Sequence, residues 1–116
     1  MPLIEIHALD DANVDQAAIA RTLNAAIAEA IGARLDAVWT TWRTIDGPFV
    51  RGDASSSDGT ASAFGPVVHV YHHRTAEQVE RIVATIESVL TRELSLQPGQ
   101  LFVTSQPVEI ADPTLS

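Results

Sequence analysis

Pro2-Leu3-Ile4-Glu5-Ile6-His7-Ala8 and its counterpart Pro66-Val67-Val68-His69-Val70-Tyr71-His72 decide the fold. Each opens on a proline and runs into apolar residues, as the start of a strand does. Each is followed by a capping-box pair, Asn13 with Gln16 and Thr75 with Gln78. An apolar helical stripe comes next: Ile19, Leu23, Ile27 and Ile31 in the first copy, Val79, Ile82, Val83, Ile86, Leu90 and Leu94 in the second. Gly32 stops the first helix, and Ala37 to Ile45, rich in Val, Trp, Thr and Ile, reads as the strand that follows. Pro98-Gly99 turns the chain, and Leu101 to Ser105 gives the last strand, continuing past Pro107 toward Ile110. Pro2 falls against Pro66, Ile19 against Ile82 and Leu23 against Ile86, an offset of 63 to 64 residues. Matching caps and stripes in register are the mark of an internal duplication.

Two β-α-β units follow: residues 2–46, and 66–110. The expected class is α/β (α+β), a four-stranded mixed sheet with both helices on one face, because each crossover is right-handed. Apolar residues occur at both parities (Leu3 and Ile4, Val67 and Val68), so the second face should be covered by other subunits. The 47–65 connection is rich in Gly, Ser and Asp and reads as flexible. Its Arg51-Gly52-Asp53 tripeptide is a short match with no other extracellular sign beside it. The tail after Ile110 reads as coil.

At 116 residues the chain suits one domain, 1–116. The formal charge of −8 argues against nucleic acid, which needs a basic footprint. There is no cysteine, and hence no disulfide, thiolate nucleophile or cysteine-ligated metal. No apolar run is long enough for a membrane span and no export leader is visible, so a cytoplasmic location is expected. All seven cations are arginines, planar forks suited to gripping carboxylates at two points.

Pro2 is the first candidate for chemistry. A methionine followed by a small residue is normally trimmed, and Pro2 would then begin the chain with a secondary amine. Apolar burial and nearby arginines both lower the pKa of such an amine, making it a general base and then a general acid near neutral pH. Arg74 sits where a strand meets the second helix, placed to meet an anion over the sheet edge. Arg43 shares a strand face with Trp39, Thr41 and Ile45 and needs a partner if both sheet faces are buried. Trp39 or Trp42 would supply an apolar wall. His69 and His73 share a face about 13 Å apart and His72 points the other way, so no metal site converges there. His7 and His69 suit a hydrogen-bonded structural role on neighbouring strands.

The opening Met1-Pro2-Leu3-Ile4-Glu5-Ile6-His7, the helix after it and the duplicated plan resemble the tautomerase superfamily. The opening is most similar to 4-oxalocrotonate tautomerase; the length looks more like malonate semialdehyde decarboxylase and cis-3-chloroacrylic acid dehalogenase. Val68 to Glu77 is similar to the segment where those relatives carry substrate-binding arginines. The resemblance implies a tautomerase/MIF-like homotrimer without a cofactor, in which Pro2 is catalytic and Arg74 holds a small carboxylate substrate. His73, Arg43 and Trp39 are further candidates for substrate binding, read from their places on the strands and not from the resemblance. The departures are Ala12, Trp39, Ile27, Thr104 and Ala37, which stand where relatives carry, in turn, two arginines, a histidine, a tyrosine and an aspartate. Keto-enol tautomerisation of a 2-keto or 2-hydroxy-dienoic acid therefore fits best. Hydration, dehalogenation or decarboxylation of a three-carbon acid at the same pocket is the first rival reading. The second is a non-enzymatic ferredoxin-like module that dimerises and binds a ligand.

Overall fold

A computed structural model describes residues 2–46, 50–55 and 65–109. The elements run β1 (Leu3–Leu9), α1 (Gln16–Ile31), β2 (Trp39–Ile45), β3 (Val50–Arg51), β4 (Ala54–Ser55), β5 (Val67–His72), α2 (Ala76–Leu94) and β6 (Phe102–Pro107). The main sheet has the order β2-β1-β5-β6. Within each unit the strands pair in parallel, and the two units meet antiparallel across β1 and β5. This is the mixed four-stranded sheet expected from the duplication. It is not ferredoxin-like, because there each unit's strands are split by another strand. Here β1 and β2 bond to each other directly, as do β5 and β6.

Alternation along the central strands divides the sheet faces. Ile4, Ile6, Ala8, Val68 and Val70 are buried under Ile19, Leu23 and Ile27 of α1 and Ile82, Ile86 and Leu90 of α2. Each fully buried aliphatic side chain contributes about 1.5–3 kcal/mol relative to exposure. Val89, absent from the expected stripe, is buried as well. The other face carries Leu3, Glu5, His7, Leu9, Val67, His69 and Tyr71, all half-buried, with Trp39 and Phe102 exposed beside them. It is more polar than the doubly apolar strands expected.

Several local expectations are corrected. The cap of α1 is Asp15, whose side chain accepts from the Ala18 N–H, while the Asn13 N–H donates to Asp11. Asp15 stands directly before the first helical residue, whereas the backbone of Asn13 belongs to an earlier turn. Thr75 does cap α2, accepting from the Gln78 N–H at 3.2 Å. Gly32 ends α1 at φ 67, the left-handed conformation glycine adopts without strain. Ala37 belongs to a short 3-10 turn, Leu35–Ala37, so β2 begins at Trp39. In the 47–65 connection, Val50 to Ser55 forms a small antiparallel hairpin turned at Gly52. Residues 47–49 and 56–64 of that connection, and the tail from residue 110, lie outside the described residues. No helix among the described residues is long and apolar enough to cross a membrane.

Candidate active site

Register places the candidate residues. Leu3 stands opposite Trp39 on one side and Tyr71 on the other. The starts of β1 and β2 therefore share an end of the sheet with the finish of β5. Pro2, Trp39, His72, His73 and Arg74 gather at that end. The Pro2 side chain is fully buried, and its carbonyl accepts from the Trp39 N–H at 3.1 Å. Trp39 is 52% exposed, and its indole N–H donates to the Asp36 carbonyl at 3.0 Å, which fixes the ring at the rim.

Arg74 follows β5 immediately before the cap of α2. Its side chain is half-buried, and its Nε is buried with no hydrogen-bond partner. Arg34, Arg81 and Arg92 pair with Asp36, Glu77 and Glu93, whereas Arg74 has no ion pair among the described residues. An unmade charge-bearing donor is costly, so this guanidinium calls for an acceptor, and a carboxylate matches its fork. His73 beside it is exposed, and its pKa is lowered, chiefly by slight desolvation of the ring. The positive charges of the amino terminus and Arg74 act in the same direction. His73 is thereby kept toward the neutral imidazole, able to donate or accept.

Two expected members stand elsewhere. Arg43 is exposed and pairs across the ladder with His7, four residues along β2 from Trp39. At ~3.3 Å per residue that is about 13 Å from the Pro2 end of the same chain. Trp42 faces the helices and lines a cleft at the far end of the sheet with Ala8, Leu9, Asp11 and Pro66. Of the two tryptophans, only Trp39 accompanies Pro2.

On the open face a polar cluster surrounds His7. Its Nε2 lies 2.6 Å from Glu5 Oε1, and its ring meets His69 edge-on at 5.5 Å. The hydrogen bond from His7 is the main reason the Glu5 carboxyl titrates below its usual 4.5; burial opposes that shift, and the charges of His7, Arg43 and His69 reinforce it. The neighbouring strands bring His7 and His69 together as expected, but the hydrogen bond belongs to His7 and Glu5, and His69 joins by ring contacts with His7 and Tyr71.

His72 is the residue that sequence reading left without a part. It is the buried polar side chain of the described core, inward beside Val68 and Val70, and its Nδ1 accepts from the Arg74 N–H at 3.1 Å. The available signal was a histidine at the last inward position of a strand, two residues before a candidate arginine.

No protein-family model matches the chain, and no curated protein sequence does. Solved structures do. The symmetric trimer of fused 4-OT superposes with a TM-score of 0.71 at 18% identity, over 95% of this chain and 88% of that one. A macrophage migration inhibitory factor homologue from Prochlorococcus marinus gives 0.68 at 16% identity, over 91% and 88%. Pt0534 inactivated by 2-oxo-3-pentynoate gives 0.66 at 15% identity, over 94% and 91%. The chain shares the tautomerase-like fold of these proteins.

Proposed function

We propose that this protein is a cofactor-free tautomerase acting on a small 2-keto or 2-hydroxy-dienoic acid, with Pro2 as the proton-transferring group. The single observation that carries the reading is the arrangement at one sheet end. A fully buried proline at position 2 shares that end with Arg74, a half-buried arginine whose Nε lacks a partner. With Met1 removed, the Pro2 nitrogen is a secondary amine. Apolar walls and the neighbouring guanidinium both disfavour its ammonium form, leaving a base at neutral pH. Arg74 holds the substrate carboxylate, and its charge stabilises the enolate that develops as the proton leaves carbon. The same amine, now protonated, returns the proton at the other position, so nothing is consumed. His73, kept toward its neutral form, hydrogen-bonds the substrate oxygen, and Trp39 forms the apolar wall.

The subunit plan follows from the open sheet face. Leu3, Val67 and the exposed Trp39 and Phe102 leave apolar surface beside the Glu5–His7–His69 cluster. A homotrimer with these faces inward covers it, as the trimeric fused 4-OT suggests. Arg43 does not approach the Pro2 end of its own chain, so a part for it in the site requires that a neighbouring subunit supply it. Light scattering should give three times the 12.4 kDa chain mass; a dimer or monomer contradicts this plan.

The catalytic proposal is tested by 2-oxo-3-pentynoate, the compound named for Pt0534. The Pro2 nitrogen should add to the alkyne, forming an N–C bond while the nitrogen's proton passes to carbon. Mass spectrometry should then locate one adduct on the amino-terminal peptide, with loss of phenylpyruvate ketonisation. An unmodified amino terminus on fully inactive protein, or modified protein with full activity, contradicts the proposal. Release of chloride from 3-haloacrylates or of acetaldehyde from malonate semialdehyde would instead favour the rival chemistries.

A further inference from the structure

We infer that His72 is a positioning residue for Arg74, holding the backbone from which its guanidinium projects; this rests on reading Arg74 as the carboxylate-binding side chain. The β5 ladder to β6 ends at His72, and α2 begins at Ala76. The Arg74 N–H therefore lies between sheet and helix, with neither ladder nor helix to supply its acceptor. His72 Nδ1 supplies it, at 3.1 Å. A backbone N–H can only donate, so Nδ1 carries no proton here and the proton of the neutral ring sits on Nε2.

The rest of His72 is anchored independently. The residue is 6% exposed, and its carbonyl accepts from the Val108 N–H at 2.7 Å. On the far side of the corner, Thr75 is fixed by its bond from Gln78. Arg74 is thus held from both directions while its own Nε stays without a partner. That combination suits a side chain kept in place for a ligand. The first unit's corner is bonded differently: by the repeat offset Ala8 occupies the position of His72 and has no side-chain acceptor, and the Asn13 N–H donates instead to the exposed Asp11 carboxylate. What distinguishes the corner that carries the arginine is a buried imidazole as the acceptor.

The test compares His72→Phe, which fills the space without an acceptor, with His72→Asn, whose Oδ1 takes the place of Nδ1. Hydrogen exchange of the Arg74 amide should be slow in the wild type and in His72→Asn, and fast in His72→Phe. With phenylpyruvate, His72→Phe should raise KM about tenfold with a smaller change in kcat, as loss of a carboxylate contact predicts, and His72→Asn should restore it. A purely space-filling role predicts the opposite order, with Phe tolerated better than Asn, and that result overturns the inference. If His72→Phe does not fold, the wild type decides: an Arg74 amide exchanging at the rate of an unprotected one also overturns it. Should the wild type prove inactive on keto acids, the functional reading fails while hydrogen exchange still judges His72.

Discussion

The two ends of the sheet are built alike and equipped differently. At one end Trp39 N–H bonds to the Pro2 carbonyl; at the other Phe102 N–H bonds to the Pro66 carbonyl, both at 3.1 Å. Both prolines are buried, and each begins a central strand. Beside Pro2 the returning strand finishes in His72, His73 and Arg74. Beside Pro66 it finishes in Ala8, Leu9, Asp10 and Asp11, around a cleft of about 320 Å³. The Pro66 nitrogen is an amide within the chain and binds no proton; the Pro2 nitrogen is an amine once Met1 is gone. Two similar β-α-β units supply the scaffold twice; in the proposed function, the cations and the position of Pro2 turn one of them toward chemistry. The Pro66 end is thus an internal control for every claim made about the Pro2 end.

The comparison breaks most sharply if the prolines are exchanged for alanine in turn. Pro2→Ala should lower phenylpyruvate ketonisation by about 10²–10⁴-fold, the usual contribution of a positioned general base. Pro66→Ala should leave kcat/KM within about twofold and be felt only in thermal stability. Next in size, Arg74→Ala should raise KM about 10–100-fold through loss of a charge-assisted bond, whereas Asp11→Ala at the other end should leave it unchanged. Arg74→Lys, which keeps the charge without the fork, should fall between.

The helix caps sharpen the contrast further. Thr75→Ala and Asp15→Ala should each cost about 1 kcal/mol by denaturant titration. Only Thr75→Ala should also disturb KM, since it loosens the corner that presents Arg74. The smallest effect concerns Glu5. Its folded-state pKa is depressed, so its stabilisation is complete above about 4.5 and is lost as pH falls below that value. Glu5→Gln should flatten the acid limb of the stability curve in that window and leave stability near pH 7 less pH-sensitive than activity.

How much of this was legible in the chain differs from one feature to the next. Strand alternation and helical stripes gave β1, β5, α1 and α2, because burial enforces those periods. Thr75 was readable as a cap because it directly precedes an uninterrupted helical pattern. Asn13 was not distinguishable from Asp15, since either side chain can cap; where the chain leaves β1 decides between them. The Val50–Ser55 hairpin was hidden by linker-like composition, as two-residue strands leave no periodic trace. Alternation assigned Arg43 to the face of Trp39 correctly, but a face does not fix a position along it. The distance to Pro2 emerged only with the register. Alternation turned His72 away from His69 and His73 without saying which face is the core, and its bond to Arg74 N–H depends on a corner conformation that residue types alone do not specify.

The central claim is that Pro2 moves the proton. Its most direct measurement is the ketonisation rate of phenylpyruvate by wild type and Pro2→Ala, both confirmed by intact mass to lack Met1 and by light scattering to share one assembly. A fall of at least about 10²-fold in the variant agrees with the account. Equal rates in the two proteins contradict it.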